Sequence, residues 1–576
     1  MSTAQISTIC IPQVKLFSHK HYQSQKPNKI SFLGNNCENS KLTKRLRDST
    51  WKLGVNYNGY AYFTSPLHPL EAELPLDAES GGNRAGVGID EFFQGKNIFV
   101  TGATGLVGKA LVEKLLRSTS VRKIYLLMKA NDKEGALERL SKDIIQSELF
   151  ECLWKEYGSG FEELAREKLV PIVGNICKPN LGMDAYSSGV VMDEVDVIVG
   201  SAASTTLDDR YDSLIDANVS APQRLMRFAK KCKNLKLFVH ISTAYVNGRK
   251  EGIIYEKPLV MGGNGRNEED FATSSSNWGI DLTDEMNLVM KSCIGSIEFE
   301  ATKELKRLGL ERAAFYGWYN PYHSTKAMGE MVLNEIRENV PVLIIRPTVI
   351  ESSYEQPFPG WIQGNRMFDP VIISYGKGLL PAYLADPNAH VDIVPVDMVA
   401  NTTIAAIAKH GSINKPRLDV YHVATDFVNP LKFSDFFEHI HEHFTRNPLT
   451  SGDFPKMELF DDFSDFSMYV RDVISERTGL TNINAVETNG NAVQKIRRLY
   501  KAKVAYAEQL CKLYEFIGFF KARFHTGNTR KLLDEMSKEE QDKFEIDATK
   551  IDWRKYFVDI HIPGVRKHVL NNKMTV

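Results

Sequence analysis

An apolar segment that runs into three evenly spaced glycines constrains the fold of this chain more than any other feature. Residues 97–101 read Asn-Ile-Phe-Val-Thr, and Gly102, Gly105 and Gly108 follow at three-residue intervals. In such a loop the first glycine permits a tight turn, and the second lets the backbone approach a pyrophosphate. The third lets a helix pack closely on the strand. The sequence therefore predicts a strand–loop–helix unit that binds a dinucleotide, and a loop that merely turns a corner is the alternative.

The end of the second predicted strand indicates which dinucleotide is bound. Lys129 directly follows the predicted strand 123–128, and the first acidic residue after it, Asp132, comes later. An enzyme that uses NADP needs a cation there for the 2′-phosphate, whereas one that uses NAD usually carries an acid for the ribose hydroxyls. Lys129 therefore favours NADPH, with a solvated surface lysine as the alternative. The residues predicted to bind the cofactor are Thr101, Gly102, Thr104, Gly105, Leu106, Val107, Gly108, Lys129, Asn175, Ile176, Ala202, Tyr322, Lys326, Pro347 and Thr348.

Short apolar runs recur along the chain after the glycine loop. They lie at residues 169–175, 195–203, 235–241 and 340–346. Continuous apolar runs are typical of strands that are buried on both faces, and helical segments separate them. The sequence therefore predicts an α/β fold with a doubly wound parallel sheet of Rossmann type. Ligands of such sheets bind beyond the carboxyl ends of the strands, where the glycine loop and the predicted site residues also fall.

A tyrosine and a lysine four residues apart form the candidate catalytic pair. Tyr322 and Lys326 would share one face of a helix. A free tyrosine has a pKa near ~10, and a nearby ammonium should lower it toward the working pH. Thr243, at the tip of the strand 235–241, could hydrogen-bond the substrate oxygen, and its neighbour Ser242 is the other candidate. The pattern predicts hydride transfer between a nicotinamide dinucleotide and a carbonyl, although such a pair also occurs by chance.

Composition limits the other possibilities. The 576 residues allow two to four domains, and the formal net charge of −1 gives no reason to expect nucleic acid as a partner. The seven cysteines show no Cys-x-x-Cys spacing. This argues against a disulfide framework and against a zinc site, so we expect no metal, and it fits a reducing compartment.

The two ends of the chain differ from its middle. No acidic residue precedes Glu38, whereas Lys, Arg, Ser and Thr are frequent, which is typical of an organelle transit peptide and favours a plastid. An ordinary disordered tail is the alternative. From about Leu431 the chain reads as mainly helical. We predict a transit peptide and disordered linker over 1–87, a reductase domain over 88–430 and a helical domain over 431–576.

A basic segment lies within the helical C-terminal region. Residues 495–520 combine a basic face with an apolar end, so this segment could contact a membrane surface or an acidic acyl carrier protein. Packing against the reductase domain is the alternative. No apolar run reaches the ~20 residues that span a bilayer, so we expect a soluble or peripheral protein. The sequence makes no prediction of the oligomeric state.

Several motifs resemble those of a known family. The glycine loop with Thr243, Tyr322 and Lys326 resembles the extended short-chain dehydrogenase/reductase superfamily. More specific motifs, which together cover the chain from about residue 88 to its end, resemble the fatty acyl-CoA reductases. The transit-like extension is similar to that of the plastid "male sterility" type of plants, which feeds pollen-wall lipid. The motifs are His240-Ile-Ser-Thr-Ala-Tyr-Val-Asn-Gly248, Glu256-Lys-Pro258, Thr325-Lys-Ala-Met-Gly-Glu330, Pro357-Phe-Pro-Gly-Trp-Ile362, Asp392-Ile-Val-Pro-Val-Asp-Met-Val399, Ile551-Asp-Trp553 and His561-Ile-Pro-Gly564.

The resemblance implies a reductase that converts long-chain fatty acyl thioesters to primary alcohols with NADPH, through an aldehyde. The thioester would be carried by acyl carrier protein or CoA, and the product would serve pollen-wall or cuticle-type lipid. By the family's pattern Tyr322 is the proton donor, Lys326 activates it and anchors the nicotinamide ribose, and Thr243 binds the carbonyl oxygen. Asn218 matches the asparagine that supports the superfamily's proton relay.

The chain departs from the family's pattern at two places. The segment Gly317-Trp-Tyr-Asn-Pro321 lacks the usual proline after Trp and the usual Thr before the tyrosine. Asn175 stands where the superfamily usually has an aspartate that faces adenine. Two alternative functions remain open at this point. One is another extended dehydrogenase, such as a sugar-nucleotide epimerase or a sterol-type dehydrogenase, and the other is a non-catalytic NADPH-binding protein that contacts a carrier.

Overall fold

A computed structural model describes most of the chain downstream of residue 85. The described residues are 52–55, 61–64, 86–261, 279–293, 298–413, 415–450, 455–482 and 491–570. The predicted transit peptide lies outside them. The chain divides into a unit of residues 1–81 and a unit of residues 82–576.

The first unit contains two paired strands, β1 (Lys52–Val55) and β2 (Ala61–Thr64), which run antiparallel. The linker that we predicted for this stretch stays a prediction, and the two strands lie within it.

The strands of the second unit are mostly short. They are β3 (Asn97–Thr101), β4 (Lys123–Met128), β5 (Leu169–Val173), β6 (Val197–Gly200), β7 (Leu237–Ile241), β8 (Gly252–Ile254), β9 (Val342–Pro347), β10 (Val349–Glu351), β11 (Ala382–Leu384), β12 (Ile393–Pro395), β13 (Leu418–Val423), β14 (Glu458–Phe460) and β15 (Ala522–Phe524).

Helices alternate with the strands up to β13 and dominate after it. They are α1 (Ile89–Phe93), α2 (Leu106–Ser118), α3 (Lys133–Leu140), α4 (Glu151–Tyr157), α5 (Gly160–Lys168), α6 (Ala185–Glu194), α7 (Tyr211–Ile215), α8 (Ala221–Ala229), α9 (Leu282–Cys293), α10 (Glu298–Phe315), α11 (Pro321–Ile336), α12 (Asp369–Gly376), α13 (Val396–Ile413), α14 (Phe433–Arg446), α15 (Phe463–Arg477), α16 (Asn491–Gly518), α17 (Gly527–Glu535), α18 (Lys538–Lys543), α19 (Trp553–Lys555) and α20 (Ile562–His568).

The main sheet of the described residues is parallel throughout, with the strand order β13-β9-β7-β6-β3-β4-β5. The sheet begins at β3 in its middle, and β4 and β5 add to one side of β3 in turn. The chain then returns to the other side of β3, where β6, β7, β9 and β13 add in turn. This confirms the predicted doubly wound Rossmann fold, in which the point of reversal lies between β3 and β6. We did not predict β13, because its sequence Leu-Asp-Val-Tyr-His-Val includes two polar residues and it lies at the sheet edge.

Alternate strand residues enter two separate hydrophobic clusters. On one face Val100 and Val199 pack with α2 and α13, and on the other Phe99 and Ile198 pack with α8. Since successive side chains of a strand point to opposite faces, both faces of this sheet are covered by helices.

The C-terminal region shares the larger cluster with the sheet. Ile98 of β3 and Val565 of α20 belong to the same buried cluster. Glu540 of α18 also accepts hydrogen bonds from the backbone N–H groups of Val87, Gly88 and Ile89, at 2.8–2.9 Å. The predicted domain boundary at residue 431 stays a prediction. Residues on both sides of it contribute to one hydrophobic core. Within the described part of the chain, no helix is both long and apolar enough to cross a bilayer.

Candidate active site

The glycine loop lies directly against the loop that follows β6. Gly102 has a φ of +77°, and a Cβ there would lie 2.6 Å from the backbone nitrogen of Ala202. A Cβ on Gly108 would lie 2.3 Å from the carbonyl oxygen of Gly102. The N–H group of Ala202 donates to the hydroxyl of Thr101 at 3.3 Å. Glycine at 102 lets the loop lie this close to the segment after β6, and glycine at 108 lets the start of α2 pack this closely on the loop.

The first turn of α2 fits an anion. Gly105 is the N-cap of α2, no side chain caps this helix, and its first turn holds no acidic residue. The free N–H groups of a helix N-terminus and the positive end of its dipole favour a phosphate. Gln363 donates to the carbonyl oxygen of Thr104 at 2.9 Å and fixes the loop from outside. Sequence reasoning missed Gln363, which lies far away along the chain.

The residues predicted to face the adenosine end lie beyond β4 and β5. Lys129 is exposed at the end of β4, and Arg139 donates to its carbonyl oxygen at 2.9 Å. Asp132 accepts from the N–H group of Gly135 at 2.8 Å, so this acid caps α3. Asn175 accepts from the N–H group of Cys177 at 3.0 Å, within the turn that includes Ile176.

The candidate catalytic pair, Tyr322 and Lys326, lies at the start of α11. Asn320 is the N-cap of this helix and accepts from the N–H group of His323 at 2.9 Å. Asparagine is a good N-cap, so the departure from the family's pattern before Tyr322 still gives a well-formed helix start. Lys326 is 2% exposed, and its Nζ donates to the carbonyl oxygen of Ile241 at the end of β7, at 2.6 Å. The helix therefore holds the lysine against the strand that carries the predicted Ser-Thr pair.

Both hydroxyls beyond β7 are buried, each 5% exposed. The Thr243 hydroxyl accepts from the N–H group of Tyr245 at 3.4 Å, a long hydrogen bond. The Ser242 hydroxyl has no hydrogen-bond partner among the described residues. The preference for Thr243 over Ser242 stays a prediction, and the geometry leaves the hydroxyl of Ser242 free to bind an oxygen as well.

Burial controls the pKa values of the catalytic pair. It raises the pKa of Tyr322 to about 12 and lowers the pKa of Lys326 to about 8. We predicted that the ammonium lowers the pKa of the phenol, and for the protein without bound ligand this prediction is wrong, because burial raises it. The reason is that the ammonium is directed to the carbonyl of Ile241, while the phenol lies in an apolar surrounding. Tyr322 therefore keeps its proton near neutral pH.

Asn218 bridges three segments. It is fully buried in a π-helical turn (Asp216–Ser220) between α7 and α8. Its side-chain amide accepts from the N–H group of Ser204 at 3.0 Å, and it donates to the Ser204 carbonyl at 3.1 Å and to the Thr325 hydroxyl at 3.2 Å. A Cβ on Gly329 would lie 2.2 Å from the Asn218 carbonyl, so α11 packs directly on this turn. Asn218 thus positions the catalytic helix.

The end of β9 carries the last predicted cofactor residues, Pro347 and Thr348. The Thr348 hydroxyl donates to Asp392 at 2.9 Å, and Thr425 donates to the same carboxylate oxygen. Burial and the nearby Asp426 raise the pKa of Asp392 to about 7. This carboxylate holds the ends of β9 and β13 together at the site edge of the sheet.

Sequence reasoning missed an aromatic wall beside Tyr322. We use this name for Tyr245, Tyr319, His323, Phe516 and Phe520. His323 stacks on Tyr245 with ring centres 5.3 Å apart and meets Phe516 at 5.1 Å, and Phe520 meets Tyr245 at 5.3 Å. Burial lowers the pKa of His323 to about 3, so its ring is neutral. The segment around residues 516–520 thus packs against α11, which is the alternative that the sequence left open beside contact with a membrane or a carrier protein.

The upstream part of the same long helix is exposed as predicted. The exposed basic side chains of this part of α16 are Lys495, Arg497, Arg498 and Lys501, and Lys512 is exposed further along the helix.

Comparison with known families gives matches to two family models. Residues 100–403 match one described as "Male sterility protein", and residues 490–572 match a second with the same description.

Three characterised sequences illustrate the relationship. The chain is 40% identical to "Fatty acyl-CoA reductase 2, chloroplastic" of Arabidopsis thaliana, over 96% of this chain and 91% of that protein. It is 37% identical to "Alcohol-forming fatty acyl-CoA reductase" of Simmondsia chinensis, over 84% and 99%. It is 29% identical to "Fatty acyl-CoA reductase 1" of Mus musculus, over 85% and 87%.

Solved structures share the fold at low sequence identity. The terminal R domain from the myxalamid PKS-NRPS pathway aligns with a TM-score of 0.52 and 14% identity, over 83% of this chain and 92% of that one. The reductase domain of a non-ribosomal peptide synthetase from Mycobacterium tuberculosis aligns with a TM-score of 0.50 and 18% identity, over 84% and 93%. At these identities the likeness shows the fold alone.

Proposed function

The chain belongs to the fatty acyl-CoA reductase family of male sterility proteins, and from this we propose that it reduces long-chain fatty acyl thioesters to primary alcohols with NADPH. The observation that carries the proposal is the bond from Lys326 to Ile241. It places the tyrosine–lysine helix at the edge of the sheet where the glycine loop and the Ser-Thr pair also lie. The motifs that are separated by more than 200 residues in the sequence are thus held at one edge of the fold.

The residues that would hold the dinucleotide fit that group. The uncapped start of α2 suits the pyrophosphate. Gly102 and Gly108 carry no side chain, so the glycine loop can lie close to the segment after β6 and to the start of α2. Exposed Lys129 would receive the 2′-phosphate, and Lys326 the nicotinamide ribose. When bound, the dinucleotide supplies a hydride.

The protein's own groups would act on the thioester oxygen. The Tyr322 phenol, which keeps its proton near neutral pH, would donate it to the oxygen that becomes negative when the carbonyl is reduced. The Thr243 hydroxyl would hydrogen-bond the same oxygen, and the charge of Lys326 would stabilise the phenolate left behind. The hemithioacetal then loses its thiol, because a thiolate leaves more readily than an alkoxide. A second reduction converts the aldehyde to the alcohol.

The aromatic wall offers a surface for the aldehyde and the acyl chain. Its rings come from the turn after β7, from the start of α11 and the segment just before it, and from the end of α16 and the segment just after it, so the C-terminal region contributes to the surroundings of Tyr322. We propose that this wall keeps the aldehyde near the site between the two reductions. A bound aldehyde would explain an alcohol as the final product.

The cellular setting of the proposal rests on the N-terminal composition and on the printed name of one relative, which includes "chloroplastic". We propose a plastid location, an acyl carrier protein or CoA as the carrier, and an alcohol that serves pollen-wall or cuticle-type lipid. The exposed basic side chains of α16 are the proposed contact for the carrier or for a membrane surface.

A product assay tests the function. The purified protein is incubated with palmitoyl or stearoyl thioesters of acyl carrier protein and of CoA, with NADPH or NADH, and products are separated by gas chromatography. We expect primary alcohol with NADPH, at two cofactors oxidised per thioester consumed. Aldehyde as the only product would contradict the second reduction, and oxidation of neither cofactor would contradict the function.

A further inference from the structure

Three buried side chains meet far from the glycine loop in sequence and outside the proposed catalytic groups. Glu351 ends β10, Asp369 begins α12 and His561 directly precedes α20. Each is 0% exposed, and one nitrogen or oxygen atom of each lies within 4.8 Å of those of the other two. We propose that these three side chains bind one divalent metal ion, with zinc as the first candidate.

Each of the three side chains uses one polar atom on the protein and leaves the other unpaired toward its neighbours. Glu351 Oε1 accepts from the N–H group of Phe368 at 3.1 Å, and Asp369 Oδ2 accepts from the N–H group of Arg366 at 2.9 Å. His561 Nδ1 lies 3.0 Å from the hydroxyl of Ser352. Among the described residues, Glu351 Oε2, Asp369 Oδ1 and His561 Nε2 have no hydrogen-bond partner although they are buried.

This pattern is the one that metal ligands show. A ligating side chain is typically fixed by a hydrogen bond that its second polar atom accepts or donates, and this bond orients the first polar atom toward the ion. Three unpaired buried polar atoms would each be unfavourable if nothing lay between them. A shared cation removes this penalty at all three atoms at once.

The tautomer of His561 supports the same conclusion. The hydroxyl of Tyr556 donates to the carbonyl oxygen of Ser352 at 2.7 Å, and the Ser352 hydroxyl is directed to that of Tyr556 at 3.4 Å. The Ser352 oxygen is then free to accept from Nδ1–H of His561, which leaves a lone pair on Nε2. That atom faces Asp369 Oδ1 at 3.3 Å, so two acceptors oppose each other unless a cation lies between them. Tetrahedral zinc with ligands at ~2.0–2.1 Å holds neighbouring ligand atoms about 3.3 Å apart.

Charge balance agrees with a divalent ion. As metal ligands, two carboxylates and a neutral imidazole carry two negative charges, which a divalent ion balances in a buried space where unpaired charge is unfavourable. Arg366 attracts both carboxylates, but its Nε donates to the carbonyl of Gln363, and it supplies one positive charge. The alternative is that the cluster holds protons instead of a metal ion, with one proton shared between the carboxylates and one on His561 Nε2.

The site would have a structural task. It lies beside a close backbone contact, because a Cβ on Gly564 would lie 2.0 Å from the carbonyl oxygen of Gly360. A metal ion bound by Glu351, Asp369 and His561 would link the C-terminal His-Ile-Pro-Gly motif to the segment between β10 and α12 and stabilise their contact. The sequence showed no ligand spacing, because the three ligands come from separate segments and none is a cysteine.

The test begins with the wild-type full chain, purified without chelator and analysed by inductively coupled plasma mass spectrometry. We expect one zinc per chain after dialysis. The metal is then removed with dipicolinate and replaced by Co²⁺, which should give the visible bands of a tetrahedral oxygen–nitrogen site without thiolate charge-transfer bands. Rebinding of Zn²⁺ should raise the unfolding temperature by at least about 2 °C. These readouts need no variant and do not depend on reductase activity.

Variants locate the site. Asp369→Asn and His561→Gln should each lose the metal and the shift in unfolding temperature on addition of Zn²⁺. The matched control is His410→Gln, because His410 is another buried histidine paired with an aspartate, Asp419 at 3.1 Å, outside the cluster. This control should keep one zinc per chain. A metal-free wild-type chain that shows no shift with Zn²⁺ would mean that protons fill the cluster. Thiolate bands, or an unchanged metal content in both cluster variants, would place the metal elsewhere, and either result overturns the proposal.

Discussion

The Nζ of Lys326 donates a hydrogen bond to the carbonyl oxygen of Ile241 at 2.6 Å, and this bond joins the catalytic helix to the strand end that carries Ser242 and Thr243. The acceptor is a backbone atom of the central sheet, so the ammonium cannot move without breaking a buried bond. Because the ammonium is removed from water, its pKa falls to about 8. The fold thereby brings the pKa of this lysine close to the physiological pH range.

The first prediction is a loss of activity at alkaline pH. In the proposed mechanism Lys326 acts in its protonated form, so kcat/KM should fall as pH rises through about 8, where the free enzyme loses this proton. In Lys326→Arg the guanidinium stays charged, and the decline should move to higher pH even if the rate is lower. The measurement is kcat/KM from pH 6 to 10 for both proteins. An unchanged alkaline limb in the arginine variant would assign the decline to another group.

The second prediction concerns the proton donor. Tyr322→Phe removes the hydroxyl, and kcat should fall by about 10²–10⁴-fold, which is the usual contribution of a positioned acid. The dissociation constant for NADPH, measured by fluorescence, should stay within about threefold because the glycine loop is untouched. Tyr319→Phe is the matched control, since Tyr319 lies in the aromatic wall and packs against Phe516 at 5.4 Å. The control should keep most of its activity, and a Tyr322→Phe enzyme with the wild-type rate would exclude Tyr322 as the donor.

The sequence predicted those features that local spacing determines. The glycine loop, the tyrosine–lysine pair and the order of buried strands each follow from a few neighbouring residues, so the Rossmann fold could be inferred directly. The family followed from longer motifs, and the comparisons confirm it. The candidate site residues stay predictions, although the structure brings the ends of β3, β6, β7 and β9 to one edge of the sheet.

Features that depend on tertiary packing could not be predicted. Phe516 contacts His323 across almost 200 residues of sequence, and nothing in either segment points to the other. The direction of the Tyr322 pKa shift was also missed, because it depends on how much water the folded chain removes around the phenol. Burial of this kind is a property of the whole fold, whereas the charge of Lys326 is visible in the sequence.

The third prediction tests the close approach in the glycine loop. In Gly108→Ala the new Cβ would meet the Gly102 carbonyl at 2.3 Å, so α2 must shift away from the loop. We expect the affinity for NADPH to fall at least about tenfold, because the start of α2 then no longer matches the phosphates. Gly189→Ala on α6 is the control, because a Cβ there meets nothing within 4 Å. It should leave affinity unchanged and raise the free energy of unfolding by up to about 1 kcal/mol. Equal affinities in both variants would contradict the assigned phosphate site.

The fourth prediction concerns the choice between NADPH and NADH. Lys129→Ala should raise KM for NADPH about five- to tenfold and leave KM for NADH within about twofold, since only NADPH has a 2′-phosphate. Lys133→Ala is the control, because Lys133 is also exposed but lies in the first turn of α3. Steady-state kinetics with both cofactors make the comparison. If Lys129→Ala changed both KM values equally, the 2′-phosphate would have to be bound by another residue.

The fifth prediction concerns a buried ion pair that fixes the catalytic helix to the sheet. Glu330 of α11 and Arg346 of β9 are both 0% exposed and are joined by bonds of 2.6–3.2 Å. Glu330→Gln leaves the guanidinium of Arg346 buried without its counter-charge, which should lower the free energy of unfolding by about 3–5 kcal/mol. Glu338→Gln is the control, because the side chain of Glu338 is 73% exposed and its pair with Lys230 should contribute at most about 1 kcal/mol. Urea unfolding followed by circular dichroism measures both. Similar midpoints for the two variants would contradict a large contribution of the Glu330–Arg346 pair to stability.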